Sequence, residues 1–158
     1  MNAKILSSIL VLVVTNFGLS QTTYNTEKKD STNVYHNALK IYCETIDKTS
    51  LKDNTIYVEY NFLITEKLPN SLDGMTIKYL REKELIKIIN QNNGEITLVR
   101  IVPLRIRSDN FFVNIIPFKT TYSKKRFYYA NSGGLKVIYI FDSKLNGLIF
   151  KESKWGWI

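Results

Sequence analysis

The sequence predicts an α+β domain, in which a curved antiparallel sheet of about five strands packs on one long N-terminal helix with a second short helix beside it. Three patterns predict this fold class. Apolar residues recur with a helical period over residues 34–46 and alternate with a period of two over residues 56–65. After residue 95, strand-like segments and turn signals follow one another to the end of the chain.

The first 20 residues have the order of a secretory signal peptide. Lys4 precedes an apolar run, and Gly18 and Ser20 place small side chains where a peptidase cutting after Ser20 requires them. An uncleaved anchor is the alternative, but this run is shorter than the roughly 20 apolar residues of a spanning helix. We therefore expect an exported protein, periplasmic or extracellular, with a signal peptide at 1–20, a flexible lead-in at 21–32, a single α+β domain at 33–158 and no stable transmembrane segment after cleavage.

Both helices are predicted from the spacing of their apolar residues. The first helix covers residues 34–46, and Ser31, Thr32 or Asn33 can cap it. The second helix covers residues 81–90, where Leu85 and Ile89 lie on one face, and it ends before Gly94. Its apolar residues lie among good helix formers, which supports a helix rather than a strand.

The strands are predicted at residues 56–65, 96–107, 111–122, 135–141 and 148–158, and residues 75–80 favour a further short strand. Pro103 and Pro117 each remove a backbone donor, so each predicts a bulge, a bend or an edge position. Asn146 and Gly147 tolerate positive φ and predict a hairpin between the last two strands.

This order of elements resembles that of the NTF2-like and cystatin-like α+β folds, in which a curved sheet wraps a helix. The Phe17-Gly18-Leu19-Ser20-Gln21 processing site, the Ile115-Ile116-Pro117-Phe118 strand and the terminal Trp155-Gly156-Trp157 resemble small uncharacterised exported proteins of the Bacteroidota. That likeness extends over the mature chain. It implies neither an activity nor catalytic residues.

Positive charge is concentrated in one part of the chain. The net charge is +8, and residues 100–136 contain eight cations against Asp109 alone. A basic segment in an exported protein favours an anionic envelope component or an acidic protein as partner, and export disfavours nucleic acid. The alternative is that these cations only protect sheet edges and keep the protein in solution.

The predicted binding residues combine cations with an aromatic side chain, a mixture that single-strand binders also use. Alternating aromatics in a sheet also form ordinary cross-strand pairs, which is the competing interpretation. The residues are Arg105, Arg107, Lys119, Lys124, Lys125, Arg126 and Tyr128.

No catalytic or metal-binding motif stands out. His36 and Cys43 lie about 10 Å apart along the predicted helix, too far for a direct hydrogen bond. One His and one Cys cannot form a zinc cluster, and Cys43 has no partner for an intramolecular disulfide, so we expect a small apolar role for it. Trp155 and Trp157 share a strand face, which fits a sugar-stacking platform or closure of the core, and we favour closure.

The sequence therefore predicts an exported non-enzymatic binding or accessory domain without cofactor or metal, whose basic C-terminal half binds an anionic partner. The alternative is a hydrolase or isomerase with an NTF2-like pocket that uses carboxylate and tyrosine residues. A pocket lined by Glu59, Tyr60 and Asn61 would favour this alternative. The ligand and the oligomeric state stay open.

Overall fold

A computed structural model describes residues 33–131 and 133–157. The predicted signal peptide and the predicted lead-in lie outside the described residues. Within the described ranges, no helix combines the length and the apolar character that crossing a membrane requires.

Three α-helices are present in the described residues: α1 at Val34–Thr45, α2 at Phe62–Thr65 and α3 at Glu82–Gln91. The side chain of Asn33 caps α1 by accepting a hydrogen bond of 3.0 Å from the N–H of Tyr35. The carboxylate of Glu84 caps α3 by accepting one of 3.0 Å from the N–H of Arg81. Both longer helices lie within about two residues of their predicted bounds. Two short 3₁₀ segments, Lys48–Ser50 and Lys52–Asn54, connect α1 to the sheet.

Nine strands of the described residues form one sheet. Their order is β2-β3-β1-β4-β6-β8-β9, and β5 and β7 both pair with β6. The strand bounds are β1 Thr55–Glu59, β2 Ser71–Leu72, β3 Met75–Leu80, β4 Glu95–Ile101, β5 Arg105–Arg107, β6 Asn110–Ser123, β7 Arg126–Asn131, β8 Gly134–Asp142 and β9 Gly147–Gly156.

The predicted fold class is wrong. The prediction was a curved antiparallel sheet of about five strands on one long N-terminal helix, whereas the sheet is mixed, has nine strands and carries only short helices. Strand β1 lies between β3 and β4 and pairs in parallel with both, and helix α3 connects β3 to β4. A parallel pair needs a crossover of this kind, which apolar alternation along a single strand does not reveal.

The strand predicted at residues 56–65 ends early. Strand β1 stops at Glu59, and the side chain of Asn61 then accepts a hydrogen bond of 3.0 Å from the N–H of Leu63 and caps α2. Phe62, predicted on the apolar face, is 68% exposed. Local capping by Asn has therefore overridden the apolar alternation at this point.

The two prolines lie where strand pairing is interrupted, as predicted. Pro103 lies in the irregular residues 102–104, which divide the predicted strand 96–107 into β4 and β5. On the other side of β6, pairing with β7 ends at Phe118 and pairing with β8 begins at Ile115, so Pro117 lies in the gap. Strand β6 thus changes partners on both sides near these prolines.

The sheet has two differently covered faces. Helix α1 packs on the face that carries Val58, Ile77, Val113 and Val137, and these residues form the larger core. Helix α3 packs on the opposite face against a smaller cluster around Leu98. We call them the α1 face and the α3 face, and side-chain alternation assigns each strand residue to one of them.

Candidate functional site

The structure divides the predicted basic residues between two hairpins. Arg105 and Arg107 lie on β5, which pairs with the start of β6, whereas Lys124 and Lys125 form the turn after the end of β6. Strand β6 has 14 residues. At about 3.3 Å per residue, the two turns lie up to roughly 40 Å apart. The basic segment therefore does not form one continuous patch.

The two hairpins also present their cations on different faces. Arg105 pairs with Phe112 and lies on the α3 face. Lys119, Arg126 and Tyr128 lie on the α1 face, opposite the smaller core. Lys119 is neutralised by an ion pair of 2.9 Å between its Nζ and Oε1 of Glu95.

The remaining predicted cations, namely Arg105, Arg107, Lys124, Lys125 and Arg126, are exposed, and none of them forms an ion pair with another described residue. Tyr128 is 51% exposed and therefore accessible to a partner. Unpaired cations at a surface attract anions more strongly than paired ones, because no local carboxylate cancels their field.

An open groove lies on the α3 face where β1, β4 and β6 meet. Its larger lobe has a volume of about 500 Å³ and is lined by Glu59, Tyr60, Arg100 and Arg105 among others. A second lobe of about 420 Å³ shares Glu59 and Tyr60 and extends to Arg81. We call both lobes together the arginine groove, after Arg81, Arg100 and Arg105.

Arg100 is held rigidly in this groove. Its Nε and Nη2 donate to the two carboxylate oxygens of Glu59, and the Nη2 to Oε1 distance is 3.0 Å. The guanidinium carbon lies 4.9 Å from the ring centre of Phe118 and 5.4 Å from that of Tyr129. The hydrogen bonds to Glu59 raise the pKa of Arg100 above its ordinary value, so the group stays charged. Nη1 has no partner among the described residues and remains a free donor.

Arg81 flanks the second lobe. Its guanidinium carbon lies 4.2 Å from the ring centre of Tyr60, a cation–π contact that fixes the side chain over the groove. The hydroxyl of Tyr60 donates to Oε2 of Glu66 at 2.8 Å, which fixes the ring in turn. Two of the three arginines are thus oriented by aromatic rings before any ligand arrives.

The positive charge continues beyond the groove on the same face. Lys136 on β8 lies opposite Lys154 on β9, and Nζ of Lys136 is 5.1 Å from the ring centre of Phe112. Glu152 pairs with Lys154 at 3.0 Å, but no described carboxylate forms an ion pair with Lys136 or Arg107. Lys136 and Arg107 therefore add positive charge to this face that no ion pair among the described residues offsets, and such charge attracts anions.

The three residues named for an enzymatic pocket do line the groove, but their polar groups are occupied. Both carboxylate oxygens of Glu59 accept from Arg100, Tyr60 donates to Glu66, and the side chain of Asn61 caps α2. In the described ranges, no three His, Cys, Asp or Glu side chains lie together as a metal would need. These three residues therefore offer no free base, and Glu82 is the remaining carboxylate residue that lines the groove.

Cys43 has the apolar role expected of it. Its side chain is 0% exposed in the larger core, and burial, with the Asp73 carboxylate adding to it, raises the pKa of the thiol to about 12. The thiol therefore stays protonated at physiological pH and does not act as a nucleophile.

The expected closure of the core by the terminal tryptophans is wrong. Trp155 is 49% exposed and Trp157 is 86% exposed. The ring of Trp155 does contact the buried Tyr42, with 5.9 Å between the ring centres, but half of Trp155 stays exposed, and Trp157 lies beyond the last residue of β9. The period-two spacing predicted that the two indoles share a face, and both line one groove. It did not predict how exposed they are.

Sequence reasoning did not foresee the roles of Arg81, Arg100 and Phe118 in one groove. Glu59 and Arg100 meet because β1 and β4 pair in parallel, with Val58 opposite Val99. The sequence does contain one signal for this contact. Glu59 and Arg100 carry opposite charges, and each directly follows the apolar residues of a strand. No family model, curated protein sequence or solved structure matches the chain.

Proposed function

We propose that this chain is an exported, non-enzymatic binding domain whose ligand carries phosphate or carboxylate groups and binds in the arginine groove. The observation that carries the proposal is the state of Arg100. Glu59 and two aromatic rings fix its guanidinium, while Nη1 remains without a partner among the described residues. A fixed donor loses little conformational entropy when it binds, which favours recognition of an anion.

The groove chemistry favours an oxyanion. Guanidinium groups are planar forks that match carboxylate and phosphate oxygens, and they keep their charge at every physiological pH. Arg81 and Arg105 flank Arg100 in the groove and form no ion pair with another described residue. Arg107 and Lys136 extend the positive face, so a ligand with several anionic groups gains more than a single small ion.

Export determines which anionic ligands the protein meets. A protein outside the cytoplasm encounters envelope phosphates, envelope carboxylates and acidic proteins before nucleic acid. We therefore assign an anionic envelope component as the partner class. Lys124 and Lys125 do not line the groove, although β7, which follows their turn, contributes Phe127 to its second lobe. Their charges therefore accelerate encounter with such a surface rather than contact the bound group.

A hydrolase or isomerase is the second candidate, and the lining of the groove by Glu59, Tyr60 and Asn61 favours it. Arg100 occupies Glu59, the carboxylate named for such an enzyme, which leaves the exposed Glu82 of the second lobe as the other carboxylate of the groove. General base catalysis needs an accessible lone pair within hydrogen-bond reach of the substrate. Binding is therefore the function that the groove supports better.

The test uses tripolyphosphate and poly-L-glutamate as phosphate and carboxylate probes, titrated by calorimetry. The double variant Arg81→Ala, Arg105→Ala should bind at least about tenfold more weakly, because each charge-assisted hydrogen bond contributes about 1.5–3 kcal/mol. The control variant Lys48→Ala, Lys144→Ala removes the same charge from exposed positions outside the groove and should bind as the wild type does. Raising the salt concentration should weaken wild-type binding. Equal affinity of the wild type and the groove variant would reject the proposal.

A further inference from the structure

A second groove lies at the end of β9, on the α1 face. Its volume is about 350 Å³, and it is lined by Pro117, Gly133, Gly134, Trp155, Gly156 and Trp157. The two indoles are 49% and 86% exposed and line one groove together, whereas exposed apolar residues that stand singly are ordinary at a protein surface. We call this surface the indole groove.

The indole groove is a built feature rather than a frayed end. The ring centre of Trp155 lies 5.9 Å from that of Tyr42, a buried residue of α1, which fixes the inner indole against the core. Trp155 pairs with Leu135, and Gly156 pairs with Gly134, so the strand that carries the indoles is hydrogen-bonded into the sheet. The inner edge of the groove is therefore rigid.

Glycines keep the floor of the groove free of side chains. A Cβ at Gly133 would lie 2.8 Å from the carbonyl oxygen of Gly156, and φ at Gly133 is +126°, so a side chain is excluded there on two grounds. Main-chain groups therefore border the indoles where side chains would otherwise stand. The groove therefore combines two exposed indoles with main-chain atoms at their margin.

Charge determines the kind of ligand. None of the six lining residues is charged, in contrast to the arginine groove, so the indole groove gives no selectivity for an ion. A pyranose ring has an apolar C–H face that packs on an indole, and hydroxyl groups around its edge that hydrogen-bond to main chain. We propose that the indole groove binds the neutral sugar rings of a glycan, with Trp155 and Trp157 as stacking residues.

The site is independent of the proposed function, since it shares no lining residue with the arginine groove. Sugar stacking should not respond to moderate salt, whereas anion binding should weaken. Salt therefore separates failure of one proposal from failure of the other.

Intrinsic fluorescence provides a direct test, because the chain has 2 Trp and both line the groove. Cellohexaose, laminarihexaose and chitohexaose serve as probes. With one of them, wild-type indole emission should change and saturate, and the midpoint should be the same at low and high salt. Trp157→Ala should raise this midpoint at least tenfold, because one of the two stacking rings is lost while Trp155 remains as the reporter.

Two matched variants control the experiment. Gly156→Val keeps both reporters, and side-chain alternation along β9 points the new side chain to the α3 face, where a Cβ meets no atom within 4 Å. This variant should respond as the wild type does. Phe141→Ala removes an aromatic ring that is 53% exposed outside the groove and should also respond as the wild type does.

Three results would overturn the proposal. The first is wild-type emission that none of the three sugars changes. The second is a response whose midpoint Trp157→Ala leaves unchanged. The third is a protein dimer, seen by sedimentation, that Trp157→Ala dissociates, since this would assign the groove to a second copy of the chain.

Discussion

The turn between β6 and β7 should be strained, and replacing its two lysines by Asn and Gly should stabilise the protein. Lys124 and Lys125 have φ of 51° and 62°, and Ser123 pairs with Arg126, which defines a two-residue turn with positive φ at both central positions. A non-glycine residue in this region costs about 1–2 kcal/mol. Because Asn and Gly relieve most of that cost, Lys124→Asn with Lys125→Gly should raise the free energy of unfolding by about 1–2 kcal/mol.

Urea unfolding measures this change, with the midpoint rising and the slope unchanged. The control is Lys124→Ser with Lys125→Ser, which removes the same two charges but keeps side chains that disfavour positive φ. It should gain much less stability than the Asn-Gly variant. If both variants gain equally, relief of charge repulsion explains the gain, and the strain argument is refuted. If neither gains, the turn conformation itself is refuted.

Three further predictions concern the core. Burial raises the pKa of the Cys43 thiol to about 12, against about 8.5 in an unfolded chain, so the unfolded state loses this proton first as the pH rises. The free energy of unfolding should therefore fall between pH values of about 8.5 and about 12. A thiol reagent should label Cys43 only as fast as the protein opens. Gly133→Ala should destabilise by about 1–3 kcal/mol in urea, since φ is +126° and the contact with the Gly156 carbonyl is too short. Tyr139→Phe should cost about 1–2 kcal/mol in urea, because its hydroxyl bonds the carbonyl oxygen of Val34 at 2.9 Å and Oδ1 of Asn37 at 3.0 Å. Fast labelling in the folded state, or unchanged stability of either variant, would contradict the corresponding prediction.

The elements that the sequence predicts well are those with local causes. Asn33 caps α1, and Asn146, with φ of 49°, belongs to the turn that precedes Gly147 at the start of β9. Pro103 and Pro117 mark the interruptions in pairing. In each case the residue itself restricts the backbone, so no knowledge of distant segments is needed.

The fold class could not be predicted in this way, because it depends on which strands become neighbours. Parallel pairing of β1 with β3 and β4 is determined by the crossover through α3, and short strands such as β2 and β5 have only 2 and 3 residues. Such strands carry no readable alternation. Asn61 also ended β1 where alternation continued.

For the proposed anion site, the sequence predicted the kind of side chain but not the position in the fold. Basic character in the C-terminal half was evident, but Glu59 and Arg100 are 41 residues apart and meet only through parallel register. The basic segment itself is divided by β6, whose 14 residues separate its two turns. Charge composition therefore gave the class of ligand that we propose but not its location.

The most direct test of the arginine groove is the affinity of Glu59→Gln for tripolyphosphate. Glutamine can accept one of the two hydrogen bonds that Arg100 donates to Glu59, and Phe118 and Tyr129 still pack against the guanidinium, but the carboxylate charge that competes with the ligand is gone. An anion-binding groove should therefore bind this probe about 3- to 10-fold more tightly in the variant, because a half-exposed charge contributes about 1 kcal/mol.

Glu95→Gln is the matched control, since it frees Lys119 from an equivalent ion pair on the α1 face. This control should bind tripolyphosphate as the wild type does. Tighter binding by Glu59→Gln alone is the result that the proposed function predicts. Weaker or unchanged binding by Glu59→Gln would show that the carboxylate does not compete with the ligand, and would contradict an anion site at Arg100.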